Sequence, residues 1–218
     1  MARERVAILI SGRGSNMAAL IDAAKDPSFP AEIALVVSNE PDAEGLKHAS
    51  AAGVATVTVD HRPHGKDRAA FERALQAAIE PHAIDFICLA GFMRLLTPWF
   101  VSQWLGRMLN VHPALLPAFK GLDTHARALA AGAKQHGATV HFVVPELDSG
   151  PIVVQEAVPV LPNDTEATLA ARVLAAEHRI YPLALRLVAE GRARLAGAQC
   201  LIDGVAVPQG PPLAAGGR

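Results

Sequence analysis

Val6-Ala7-Ile8-Leu9-Ile10-Ser11-Gly12-Arg13-Gly14-Ser15-Asn16 is the stretch that decides the fold. Residues 6–10 form an unbroken apolar run of strand length. Such a run fits a parallel strand covered on both faces better than a half-exposed one. Glycines follow, then a helical pattern through Leu20, Ile21 and Ala24. Strand, glycine turn and helix start is the geometry that presents backbone N–H groups to an anion. Gly14 would let the backbone approach a ligand closely, and Ser15 or Asn16 is expected to cap the helix. The turn is not a dinucleotide fingerprint, because Met17 stands where the third glycine belongs. It also lacks the Lys-Ser/Thr of a P-loop. What remains is a nest suited to a monophosphate, with a tight turn that binds nothing as the plainer reading.

The same unit recurs downstream. Strands are expected at 33–37, 55–59, 85–90 and 108–112, and helices at 43–52, 67–79 and after Pro98. Strands alternating with helices predict an α/β fold: a doubly wound, mostly parallel sheet with helices on both faces. Beyond Pro113 the pattern changes. A loop over 114–121 leads to a helix through Ala131, capped by Asp123 or Thr124. Two strands, 138–144 and 152–160, are joined through residues 146–151. A long amphipathic helix over 165–189 is expected to break or kink near Pro182, and a small hairpin closes the chain. The reading is a single domain over residues 1–207 and a frayed tail over 208–218, rich in Pro, Gly and Ala.

Composition excludes several function classes. Hydrophobic residues make up 51% of the 218 and charged residues 19%, enough for a core and too apolar for global disorder. Net charge is −1 and no Lys/Arg block stands out, which argues against a nucleic-acid or anionic-membrane surface. The two cysteines, Cys88 and Cys200, form no C-x-x-C pair or disulfide framework. Residues 6–10 are too few for a signal-peptide core or a membrane span, so a soluble cytoplasmic protein is expected.

The chemistry concentrates at Asn110-Val111-His112-Pro113. Side chains two apart on a strand share a face, so Asn110 and His112 stand together at the carboxyl end of an apolar strand. Ligands bind at that end of open α/β sheets. An amide can polarise a carbonyl oxygen, and an imidazole can give or take a proton near neutral pH. The pair suits acyl chemistry; the plainer reading is a strand end with two polar caps. Asp148 lies in the loop Leu147-Asp148-Ser149-Gly150. If that loop folds over the fifth strand, its carboxylate favours the imidazolium of His112, a cation able to steady an oxyanion or donate a proton. Gly91-Phe92-Met93-Arg94-Leu95-Leu96, at another strand end, is a candidate wall for a flat heterocycle. The remaining histidines, His141 among them, show no metal-ligand spacing, and no metal is expected.

These motifs occur together in one order: Ser11-Gly12-x-Gly14-Ser15-Asn16, Ala90-Gly91-Phe92-Met93-Arg94, Asn110-x-His112-Pro113-x-Leu115-Leu116-Pro117, Gly137-x-Thr139-Val140-His141-Phe142-Val143, and Leu147-Asp148-x-Gly150. On them the chain resembles the phosphoribosylglycinamide formyltransferases, folate-dependent enzymes of purine synthesis, from about Val6 to Gly204. The resemblance implies a Rossmann-like formyltransferase fold and formyl transfer from 10-formyltetrahydrofolate, a co-substrate, to the amine of glycinamide ribonucleotide. It implies catalytic roles for Asn110, His112 and Asp148. It assigns ribonucleotide binding to Gly14, Ser15, Asn16 and Glu177. It assigns folate binding to Arg68, Met93, Arg94, Leu95, Leu96, Asn110, Val144 and Asp148. Small-molecule substrates are expected, with no nucleic-acid or membrane partner, on a monomer or homodimer.

The chain departs from the family pattern at Ala114, where serine is frequent, and at Pro145, where an acidic residue is common. Leu174, Ala175 and Ala176 replace a stretch that is polar in some relatives. Two other readings stand beside the main one. A formyltetrahydrofolate hydrolase shares the Asn, His and Asp pattern, and a non-catalytic nucleotide-binding module could use the same sheet.

Overall fold

The computed structural model describes residues 2–208. The main strands are β1 (Glu4–Ile10), β2 (Ala31–Ser38), β3 (Ala55–Thr58), β4 (Phe86–Leu89), β5 (Met108–His112), β6 (Gln135–Phe142) and β7 (Ile152–Pro159). They form one seven-stranded sheet in the order β3-β2-β1-β4-β5-β6-β7. Pairings from β3 across to β5 are parallel, whereas β5–β6 and β6–β7 are antiparallel. The strand order reverses beside β1, so the carboxyl ends of β1 and β4 flank the crevice where ligands bind in such sheets.

Six α-helices are described: α1 (Ser15–Ala23), α2 (Glu44–Ala51), α3 (Arg68–Ile79), α4 (Pro98–Gln103), α5 (Thr124–Ala130) and α6 (Glu166–Ala189). The alternation of β1 shows how the layers are sorted. Val6, Ile8 and Ile10 pack in one core with Met17, Leu20, Ala49 and the buried row of α6, from Leu169 to Val188. Ala7 and Leu9 point the other way, against Phe71 and Leu75 of α3 and Phe100 and Val101 of α4. Both faces of β1 are thus covered from Val6 to Ile10, which is why that run is apolar throughout. No helix among the described residues is long and apolar enough to cross a membrane.

Several local expectations need correction. Neither Ser15 nor Asn16 caps α1: Gly14 occupies that position at φ 75° with no side-chain cap bond. Glycine reaches this left-handed conformation without steric cost and turns the chain straight into the helix. Asp123 stands before α5 at φ 55° and also makes no cap bond; the Thr124 hydroxyl instead donates to the Pro113 carbonyl at 2.8 Å. Helix α6 does not break at Pro182 but runs unbroken over 24 residues. Buried Ile180, Tyr181, Ala184 and Leu185 on either side hold it, and their packing outweighs the roughly 3 kcal/mol that an interior proline costs. Strand β6 starts earlier than expected and ends at Phe142, so the loop to β7 begins at residue 143. The closing hairpin, β8 (Ala193–Ala196) and β9 (Gln199–Ile202), gains a third strand, β10 (Val205–Ala206). The tail expected over 208–218 lies, from residue 209 onward, outside the described residues.

Candidate active site

Strand β5 carries the site because of its register. Met108 packs in the core of the α3 and α4 face, and Asn110 and His112 continue that row to the strand's carboxyl end. The antiparallel partner β6 sets His141 opposite Asn110 and Thr139 opposite His112. Four polar side chains therefore share one face of a two-strand seam whose other face, with Leu109, Val111, Val140 and Phe142, is core.

The loop after β6 brings Asp148 onto this face. Asp148 adopts φ 46°, and its Oδ2 lies 3.5 Å from His112 Nδ1, with both side chains largely buried. The same oxygen accepts the Gly121 N–H at 2.9 Å. On the far side of the ring, His112 Nε2 lies 3.0 Å from the Phe119 carbonyl oxygen. Both ring nitrogens thus face acceptors. A neutral imidazole has one N–H and satisfies one of them, whereas the imidazolium satisfies both. The loop over the site is held by Arg127, which donates to the Lys120 and Leu122 carbonyls at 2.6 and 3.2 Å. Lys120 Nζ also donates to Ser149 Oγ at 2.6 Å, tying this loop to the one bearing Asp148.

His141 was set aside on sequence spacing, and the structure makes it part of this cluster. Its Nε2 lies 3.3 Å from Asn110 Nδ2 and 3.9 Å from Asp148 Oδ1, and its Nδ1 lies 2.9 Å from the Phe142 carbonyl oxygen. Burial, partly offset by that carbonyl and by Asp148, pushes its pKa down to about 4. The signal was present in the sequence: Thr139 and His141 are polar residues two apart that alternate with the apolar Ala138, Val140 and Phe142. Reading it required the antiparallel pairing with β5. Phe119 and Gly121 were also missed, because they act through backbone atoms that residue identity does not reveal.

The glycine turn after β1 borders a cavity of about 250 Å³, lined by residues 11–16 together with Ala90, Gly91 and Met93. Ser11 ties its two walls: its hydroxyl accepts the Met93 N–H at 2.8 Å and also bonds Asn39. Asn16 and Glu177, 161 residues apart in sequence, meet here, with Asn16 Nδ2 donating to Glu177 Oε2 at 2.6 Å. Asn16 Oδ1 is buried without a hydrogen-bond partner. Burial raises the Glu177 pKa, with the Asn16 bond opposing. Ala176, one of the departures from the family pattern, is buried beside Glu177 in sequence, while Ala175 is exposed. A larger cavity of about 670 Å³ lies behind α1, lined by Met17, Ile21, His48, His178 and Pro182 among others. Of the turn residues 11–16 only Ser15 reaches it, and it holds none of the Asn110–His112–Asp148 cluster.

The segment after β4 alternates. Met93 and Leu95 are 67% and 55% exposed, whereas Phe92 and Leu96 pack against the α3 and α4 core. Exposed apolar side chains next to a polar cluster suit the face of a flat ligand. Buried Glu72 of α3 holds the end of this segment by accepting the Thr97 N–H at 2.5 Å and the Thr97 hydroxyl. Arg68, the first residue of α3, is exposed. Val144, Arg94 and, taken as a whole residue, Asp148 are half-buried, and Pro145 is exposed. Ala114, at the start of the loop, is fully buried.

Residues 4–185 match the family described as Formyl transferase. Phosphoribosylglycinamide formyltransferase of Escherichia coli (strain K12) is 45% identical over 203 residues, 93% of this chain and 95% of that protein. The trifunctional purine biosynthetic protein adenosine-3 of Bos taurus is 50% identical over 193 residues, 88% of this chain but 19% of that protein. The chain thus spans about a fifth of the length of the trifunctional relatives it matches. Among solved structures, phosphoribosylglycinamide formyltransferase from Coxiella burnetii superposes with a TM-score of 0.90 at 43% identity, covering 95% of this chain and 97% of that one.

Proposed function

Because the chain belongs to the formyl transferase family, we propose that it transfers the formyl group of 10-formyltetrahydrofolate to the amine of glycinamide ribonucleotide. The observation that carries this reading is the His112 ring, held between Asp148 and the Phe119 carbonyl beside the Asn110 amide. An imidazole and an amide N–H donor stand together at the end of a strand, where an acyl group can be laid between them.

The amine nitrogen attacks the formyl carbon, and the carbonyl oxygen takes up the electron pair. Asn110 N–H and the His112 imidazolium face that oxyanion, and the preorganised pair acts where charge develops. As the tetrahedral intermediate collapses, the bond from the formyl carbon to the folate nitrogen breaks. That nitrogen takes a proton, and the attacking amine loses one. Asp148 Oδ2, 3.5 Å from His112 Nδ1, orients the ring and faces its charge. For the His112 Nε2 proton to reach the substrate, the Phe119 carbonyl must give way to the formyl oxygen.

The phosphate of the acceptor fits the glycine turn, since α1 begins without a side-chain cap and its first-turn N–H groups face an anion favourably. The unpartnered Asn16 Oδ1 and the Glu177 carboxylate offer acceptors for ribose hydroxyls. Met93, Arg94, Leu95, Leu96 and Val144 would line the folate slot, with Arg68 near its acidic tail.

An acceptor-dependent formyl-transfer assay tests this. Folate deformylation is expected to require glycinamide ribonucleotide and to stop without it; release of formate at an equal rate without the acceptor would refute the reading. Asn110→Ala and His112→Ala should each lose about 10²–10³ in turnover while ribonucleotide binding, followed by calorimetry, is kept.

A further inference from the structure

We propose that His141 is a positioning residue: by accepting a hydrogen bond from the Asn110 side-chain amide, it fixes which end of that amide faces the reacting carbonyl. The inference rests on the formyl-transfer reading above and concerns an amide that has two chemically opposite ends. Its NH₂ end stabilises an oxyanion. Its oxygen end repels one.

The orientation follows from a chain of obligatory partners. The Phe142 carbonyl accepts only, so His141 Nδ1, 2.9 Å from it, carries the proton. A neutral imidazole then has a lone pair on Nε2. That lone pair meets the Asn110 side chain at 3.3 Å and can pair only with the NH₂ end. Rotating the amide by half a turn would set oxygen against nitrogen lone pair and present an acceptor to the developing oxyanion. The neutral state is supported by burial. The charged groups facing the ring are Asp148, which favours a proton, and His112 and Lys120, which disfavour it.

The next layer is equally constrained. Gly150 packs so tightly that a Cβ there would lie 1.7 Å from the Phe142 oxygen and 3.2 Å from His141 Nδ1. A glycine in this place keeps the Phe142 carbonyl aimed at the ring. The sequence Leu147-Asp148-x-Gly150 therefore holds both the carboxylate beside His112 and the space beside His141. The backbone register completes the arrangement, since Asn110 and His141 are direct cross-strand partners.

Two measurements test the proposal. The first is formyl transfer by His141→Phe and His141→Gln, each alone and in the Asn110→Ala background. His141→Phe should lose about tenfold to a hundredfold in kcat, less than the roughly 10²–10³ of losing an oxyanion donor outright. KM for both substrates should stay within about threefold, since other residues bind them. Glutamine, whose side-chain oxygen can accept from Asn110, should recover most of the rate. In the Asn110→Ala background His141→Phe should cost nothing further. A kcat for His141→Phe close to that of the wild type would overturn the inference. So would a full loss that persists without Asn110, which would place the action on Asp148 instead. Absence of acceptor-dependent transfer in the unaltered protein would instead sink the formyl-transfer reading itself. The second measurement needs no variant: ¹⁵N NMR of the His141 ring at neutral pH should show the proton on Nδ1. A proton on Nε2 would overturn the proposal even if the phenylalanine variant fails to fold.

Discussion

Replacing Asp148 by asparagine removes one charge and almost no volume. A single carboxylate oxygen, Oδ2, serves both the Gly121 N–H at 2.9 Å and the His112 ring at 3.5 Å. An amide oxygen in that place keeps the first bond and the shape of the loop. What goes is the attraction between carboxylate and imidazolium. At 3.5 Å and an effective dielectric of about 20, that attraction is about 5 kcal/mol. At about 1.4 kcal/mol per decade this sets a ceiling of roughly three decades on the loss of rate. We expect kcat to fall by about 10²–10³, with KM for either substrate changed by less than about threefold. Steady-state formyl transfer, following the folate product by absorbance, measures it, and thermal melting checks that the loop has stayed in place. A kcat within tenfold of the wild type would refute the electrostatic role. So would a loss confined to KM, because the carboxylate would then be binding substrate rather than holding a cation.

The ribose assignment predicts a different signature. Glu177→Ala should raise KM for the ribonucleotide by about tenfold or more, as expected for a lost charge-assisted hydrogen bond, with KM for the folate unchanged; a change in the folate term alone would misplace the site. Acid stability is set partly by His141. Burial holds its folded pKa at about 4 against an ordinary 6.5, so the unfolded chain binds more protons between those values and stability drops as pH falls from about 6.5 to 4. His141 alone accounts for about 3 kcal/mol of that drop. Urea unfolding of His141→Gln across this range should show a correspondingly shallower fall, and an unchanged slope would contradict the buried neutral ring. His136, also held near 4, keeps part of the slope in the variant.

The parallel half of the sheet was legible because both its faces are covered. The buried run of β1, residues 6–10, has no polar position to confuse with a helix or a loop. The site was legible only where spacing along one strand suffices, as for Asn110 and His112. The approach of Asp148 to His112 depends on a loop that leaves β6 and folds back, and no local pattern fixes its path. His141 escaped because a histidine in a strand is ambiguous until its neighbour across the sheet is known. The left-handed Gly14 was misread, and the break allowed for at Pro182 is absent, for a related reason. Serine and asparagine favour helix starts, and proline favours helix ends, but each preference is worth a few kcal/mol at most and packing overrode it.

The seam between β5 and β6 constrains how this gene product can vary. Side chains on a strand alternate, so gaining or losing one residue in β5 would turn the amide and its neighbouring imidazole toward the core, and in β6 the other imidazole and the threonine hydroxyl, bringing valine, leucine or phenylalanine to the crevice instead. Substitutions in this seam are graded in their harm; insertions and deletions are all or nothing. Gaps in an alignment of relatives should accordingly avoid these two strands even where identity is low, and the distribution of chain-length changes becomes an independent map of where the chemistry sits.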